Sequence, residues 1–208
     1  MDNIEQRTHN WFTARLGKVT ASSLHKVLAR TKTGYGADRA NYLTQLVLER
    51  VTNSKAEGYI NAEMQWGIDQ EPFARAAYEA HTGVLVDEVG FMPHPTIEMS
   101  GASPDGLVGD SGMVEIKCPS SKTALECWLS DVPVESKYFA QMQWQMACAD
   151  RKWCDYVVFD PRMPQKAQLF IHRVNRDNEW LATTEKEVVK FLAEVDAKVA
   201  ALRKIIGE

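Results

Sequence analysis

Between Asp105 and Cys118 the chain reads DGLVGDSGMVEIKC, and no other stretch restricts the fold as much. Gly109-Asp110-Ser111-Gly112 is turn chemistry, and short apolar segments flank it, so a β-hairpin is predicted here. In the second strand Val114 and Ile116 share one face, while Glu115 and Lys117 share the other, because alternate strand side chains point the same way. The aliphatic face requires a covering layer, which commits the chain to a sheet packed against other elements. If the strand after Asp105 pairs with the next one, Asp105 lies beside Glu115 at one end of that sheet.

The surrounding pattern supplies the covering layers. VTASSLHKVLAR reads as a helix opening at Thr20 or Ser22, with Leu24, Val27 and Leu28 at helical spacing. A second helix is ADRANYLTQLVLERVT, and TNSKAEGY is a polar loop. A third helix spans Ala62 to His81, stopped by Thr82-Gly83. VLVDEVGFM and IEMSGAS read as strands, followed by the hairpin and by helices over Ser121–Leu129 and Ser136–Cys148. WCDYVVFD and AQLFIHRV are further strands, and a charged amphipathic helix runs from about Asn178 onward. This order predicts a single α/β domain over residues 1–208, a central mixed β-sheet flanked by helices.

Composition sets the outer limits. With 208 residues, 45% hydrophobic and 25% charged, the chain can bury a substantial core. No apolar run is long enough to span a bilayer, so no membrane role is expected. MDNIEQRTHNWF has neither a basic start nor an apolar core and does not read as a secretory signal. Cys118, Cys127, Cys148 and Cys154 lack zinc-type spacing and are expected as free thiols in a reducing cytoplasm. The formal net charge of −4 argues against coating nucleic acid through bulk positive charge, although a local basic groove is compatible with it.

Two carboxylates held close repel unless a cation lies between them. Hard oxygen donors such as Asp105 and Glu115, with the Ile116 carbonyl as a further ligand, suit Mg²⁺ or Mn²⁺. Lys117 beside them is placed to orient a water and to steady charge developing on a phosphate. The E-x-K spacing by itself favours an ion-paired surface strand over a metal site. Pro104 before the first acid, the glycine turn and the buried alternate face favour the metal site, and together they match the PD-(D/E)xK nuclease signature.

Further motifs occur in order: RLGKVTAS (Arg15 to Ser22), WGIDQEPFARAAYE (Trp66 to Glu79), SGASPDGLV, VEIKCP, YFAQMQWQM (Tyr138 to Met146) and DYVVFDPRM (Asp155 to Met163). By these the chain resembles the lambda-exonuclease and YqaJ-type viral recombinase nucleases, from about residue 11 to 163; the C-terminal helix, about 178–206, carries no matching motif. The resemblance implies a PD-(D/E)xK restriction-endonuclease-like fold and a catalytic set of Asp105, Glu115, Lys117, Glu71 and Gln143. It implies metal ligation by Asp105, Glu115, Ile116 and Glu71, with Mg²⁺ as cofactor and Mn²⁺ as a substitute. It places Arg15, Ser22 and Ser103 on a terminal DNA 5′-phosphate, with Lys122 the nearest basic residue to a position where the family has an arginine one step away. Met64 matches an apolar wedge that parts the terminal base pair.

The implied activity is 5′-to-3′ digestion of double-stranded DNA from its ends, releasing mononucleotides and leaving a 3′ overhang. A ring-shaped homotrimer, a single-strand annealing partner and a phage or prophage origin in the bacterial cytoplasm come with the same resemblance. Two alternatives share these residues: an endonuclease of repair or restriction type, and a catalytically silent DNA-end-binding module. Several residues carry a second reading of their own. Ser22 fits a helix cap, Glu71 a solvated pair with Arg75, and Met64 ordinary packing. Gln143 fits a buried amide tying helix to sheet, and Gln141 and Gln145 lie one turn apart on another side of the same helix.

Overall fold

The computed structural model describes residues 5–55 and 61–207. Part of the polar loop expected over 52–59, and the first four residues, lie outside them. The Thr8 hydroxyl accepts from the Trp11 amide and opens α1 (His9–Arg15), a short helix that the apolar spacing did not announce. Next come β1 (Val19–Thr20), a 3₁₀ turn over Ala21–Ser23 and the one-turn helix α2 (Leu24–Val27), where a longer helix was expected. A small hairpin, β2 (Arg30–Thr31) and β3 (Gly34–Tyr35), leads into α3 (Ala37–Thr52). Asn61 caps α4 (Ala62–Thr82), and Gly83 ends it in the left-handed conformation at φ 74°.

The segment expected to give two strands gives only β4 (Met92–Pro93) and β5 (Ser100–Ala102), with an isolated bridge between Asp87 and Leu107. Pro93 and Pro95 have no N–H to offer a ladder, which keeps the strands short. The hairpin forms as anticipated, from β6 (Gly106–Val108) and β7 (Gly112–Lys117), around Gly109 at φ 52°. Then follow α5 (Ser121–Leu129), α6 (Ser136–Ala149), β8 (Trp153–Phe159), β9 (Leu169–Asn175) and α7 (Asn178–Ile206).

The principal sheet has the order β6-β7-β8-β9 and is mixed, with β7 and β8 parallel and the outer pairs antiparallel. A smaller sheet, β1-β5-β4, lies apart from it, with β1 and β5 parallel. Helix α4 covers one face of the principal sheet, where Ala74 and Tyr78 meet Val114, Ile116, Val157 and Phe159. Helices α5 and α6 cover the other, where Ala124, Met142 and Met146 meet Met113, Tyr156 and Val158. A third cluster joins α2, α3, α6 and α7, including Leu24, Leu46, Trp144, Phe191 and Val195. The expected layering of a mixed sheet between helices is therefore the observed one. Asp155 of β8 is buried on the α4 face, where it accepts from the Tyr78 hydroxyl at 2.7 Å and from Arg173 at 2.8 and 2.9 Å. The four cysteines are free thiols, and among the described residues no helix is long and apolar enough to cross a membrane.

Candidate active site

Glu115 is the centre of the site and is entirely buried, on the β7 face that α6 covers. Its Oε1 accepts from Lys117 Nζ and from Gln141 Nε2 at 2.6 Å, and its Oε2 accepts from Gln145 Nε2 at 2.6 Å. Residues four apart share a helix face, so α6 presents Gln141 and Gln145 together. Gln143 faces away. Its Nε2 donates to the Asn175 carbonyl and its Oε1 accepts from the Asp177 amide, both at 2.8 Å. Gln143 thus fits the buried-amide reading, tying α6 to the β9–α7 junction, and the glutamines two residues either side of it hold the Glu115 carboxylate.

Asp105 stands just before β6, opposite Glu115, and its Oδ2 accepts from the Ile116 amide at 2.7 Å. The N–H and C=O of one strand residue face the same side, so the Ile116 carbonyl also points to the Asp105 edge. Burial, then the charges of Glu115 and Glu71, push the Asp105 carboxyl well above its ordinary value, against Lys117 and the Ile116 amide. Burial disfavours the Lys117 ammonium, but Glu115 and Asp105 outweigh it and hold the group charged, above its usual range. The Lys117 ammonium also lies 5.1 Å from the centre of the Tyr138 ring.

Glu71 approaches from α4, on the opposite face of the sheet, and is engaged by two arginines: Arg7, and Arg75 at 3.3 Å. The solvated-pair reading is therefore incomplete, because Glu71 is largely buried and its charge acts on Asp105. Among the described residues no three acidic, His or Cys side chains converge in ligating geometry. The candidate donors along this edge are hard oxygens: the Asp105 and Glu115 carboxylates and the Ile116 carbonyl. The repulsion that raises Asp105 is what a divalent cation relieves, and Gln145 Oε1 is a buried acceptor with no protein partner beside Glu115. On these grounds the residues fit Mg²⁺ or Mn²⁺.

A second centre adjoins the first through the chain itself. Ser103, two residues before Asp105, accepts at Oγ from Arg15 Nη1 at 3.0 Å and from Trp11 Nε1 at 2.9 Å. With both lone pairs engaged, its hydroxyl hydrogen is free to donate. The Arg15 guanidinium stacks 4.0 Å above the Trp11 ring and borders a cavity of about 220 Å³ that Lys18, Ser22, Glu49 and Lys55 also line. Burial lowers Arg15 to about 10, only partly offset by Tyr42 and Glu49. A half-buried guanidinium bonded to a hydroxyl rather than to an acid suits an anion. Ser22 lies in the 3₁₀ turn, 3.4 Å from the Thr20 hydroxyl, and makes no helix-cap bond.

The remaining expected residues stand apart. Lys122 is exposed in the first turn of α5 and lies 3.8 Å from Glu126. Among the described residues no bond joins it to Arg15, Ser22 or Ser103. Met64 is half exposed near the start of α4, which is compatible with a wedge and not with core packing. Trp11 was not anticipated, although its position four residues before Arg15 is a local signal once α1 is known.

Comparison with known proteins places the chain among related nucleases. An alkaline exonuclease of Laribacter hongkongensis, LHK-Exo, is 46% identical, with a TM-score of 0.89 over 96% of this chain and 98% of its own; it has also been solved in complex with dAMP. A phage-related exonuclease of Haemophilus somnus shares the fold at 17% identity, with a TM-score of 0.74 over 89% of this chain and 96% of its own. Among curated proteins none matches the chain closely. Residues 10–152, which hold both centres, match the family model of the YqaJ-like viral recombinase domain, and the chain belongs to that family.

Proposed function

We propose that the protein is a Mg²⁺-dependent 5′-to-3′ exonuclease that degrades the 5′-ended strand of duplex DNA to mononucleotides and leaves a 3′ overhang. The observation that carries this reading is the convergence of Asp105, Glu115 and Lys117 at one sheet edge, two residues along the chain from the Arg15–Ser103 anion site. Membership of the recombinase family and similarity to solved exonucleases support it. A role in phage-type recombination, with a homotrimer and a single-strand annealing partner in the bacterial cytoplasm, belongs to the same proposal.

Asp105, Glu115, the Ile116 carbonyl and Glu71 would hold the ion. When bound, Mg²⁺ supplies a water of lowered pKa and stabilises negative charge on the phosphate. Gln141, Gln145 and Lys117 fix the Glu115 carboxylate, and Lys117, charged and partly exposed, orients the water and offsets charge as the phosphodiester opens. Arg15, Ser103 and Ser22 hold the terminal 5′-phosphate. Two chain steps span at most about 7 Å, so an end seated at Ser103 presents a bond close behind it to Asp105. That proximity supports release of single nucleotides. Met64 is proposed to part the terminal pair.

The test uses linear duplexes with 5′-phosphate or 5′-hydroxyl ends and a covalently closed circle, with Mg²⁺ or chelator, for the native chain, Asp105→Ala and Arg15→Gln. Mg²⁺-dependent release of nucleotides from the 5′-phosphorylated strand is expected, abolished by Asp105→Ala. Arg15→Gln should erase the preference for phosphate. Rapid cutting of the circle favours an endonuclease, and end binding without nucleotide release favours a silent module.

A further inference from the structure

Glu71 is the ligand candidate that the structure ties most heavily to cations of the chain itself. Its Oε1 faces Arg75, whose other partner is Glu88. Its Oε2 is taken by Arg7, which comes from a different part of the chain, 64 residues away. The way Arg7 arrives is specific. Gln6 Nε2 donates to two backbone carbonyls, Val89 and Pro104, each at 2.8 Å, and Pro104 is the residue next to Asp105. Arg7 itself has φ 67°, a left-handed backbone that residues with a side chain rarely adopt. Thr8 then starts α1, the helix that carries Trp11 and Arg15 to Ser103. Residues 6–8 therefore form a strap pinned beside the acidic centre, with one guanidinium laid on one carboxylate.

A guanidinium and a divalent cation make the same demand on a carboxylate oxygen. Arg7 is about half exposed, whereas Glu71 is mostly buried, so the arginine can leave toward solvent and the acid cannot. We propose that Arg7 is a positioning counter-ion that competes with the divalent ion for Glu71 Oε2, so that the strap sets the ion affinity of the site and its release accompanies loading. This rests on the metal reading given above, and extends it to a residue outside the motif set.

The test measures Mn²⁺ uptake by chelator-stripped protein, through calorimetry or electron paramagnetic resonance, for the native chain, Arg7→Gln, Arg7→Lys, Glu71→Gln and the Arg7→Gln/Glu71→Gln pair. Arg7→Gln should bind Mn²⁺ about fivefold tighter, the effect of removing one partly exposed ion pair. Arg7→Lys should lie between it and the native chain. In the Glu71→Gln background the Arg7 substitution should have no effect. Hydrogen exchange supplies a second readout: amides of residues 5–9 should exchange faster when Mn²⁺ is added to the native chain and show no change in Glu71→Gln. Equal Mn²⁺ affinity for the native chain and Arg7→Gln, or a gain that persists without Glu71, overturns the inference. If Asp105→Ala, titrated alongside these variants, loses Mn²⁺, the metal reading survives and only the strap fails. If the native chain takes up no Mn²⁺, both fall.

Discussion

Replacing Gln145 by leucine separates the two glutamine roles that the structure assigns on α6. Lys117 and Gln141 both engage Glu115 through Oε1, so among the described residues Gln145 alone fixes Oε2, at 2.6 Å and fully buried. A hydrogen bond to a charged group contributes about 1.5–3 kcal/mol, and at about 1.4 kcal/mol per tenfold this is a factor of about 10 to 100. Outer-shell partners of metal ligands show the same range when removed. Gln145→Leu should therefore weaken Mn²⁺ binding by about 10- to 100-fold, with activity recovering at high Mn²⁺. Gln143→Leu should behave differently. It strands the Asn175 carbonyl and the Asp177 amide, lowering fold stability by about 1–3 kcal/mol while Mn²⁺ affinity stays within about twofold of native. Calorimetric Mn²⁺ titration and urea unfolding, run on both variants, give the two numbers. Equal losses of Mn²⁺ affinity in the two variants, or native affinity in Gln145→Leu, would refute the assignment of Gln145 to the carboxylate and Gln143 to the helix–sheet joint.

Two further outcomes follow from buried charges. Asp105 is held well above its ordinary 3.8 by burial and by Glu115 and Glu71, so in chelator the unfolded chain releases this proton first as pH rises. The folded chain then binds more protons than the unfolded one, and stability falls from about pH 3.8 upward until folded Asp105 has itself ionised. Urea midpoints across pH should show this decline in the native chain and a smaller one in Asp105→Asn; identical slopes would contradict it. On the α4 face, Tyr78→Phe leaves buried Asp155 without its 2.7 Å donor and should cost about 1.5–3 kcal/mol in urea unfolding. A loss below about 0.5 kcal/mol, the scatter of neutral substitutions, would show that Arg173 alone satisfies Asp155.

What the sequence made legible was whatever a short-range period encodes. Tyr42, Leu43, Leu46 and Val47 repeat at helical spacing and all are buried, and α3 has the limits read from them. The alternation through Val114, Glu115, Ile116 and Lys117 gives β7 its two faces, and the pairing of Gly106 with Val114 carries Asp105 to Glu115 as the hairpin required. Apolar identity was a weaker guide than period: Phe73, on the same helix as Glu71, is 63% exposed, while Ala74 and Tyr78 meet the sheet. The helical period also separates Gln143 from Gln141 and Gln145. Motif position pointed to Gln143, whereas side-chain direction, fixed by 3.6 residues per turn, turns the other two to Glu115. The contacts of Trp11 with Ser103 and of Arg7 with Glu71 span 92 and 64 residues and leave no local trace. Helix α1, only seven residues long, is too short to be stable by propensity and exists through the Thr8 cap and tertiary contacts. The candidate catalytic edge could thus be read from a hairpin, because its residues are neighbours in the chain. Its buttress could not, because long-range packing alone brings residues 6–15 against the loop that bears Asp105.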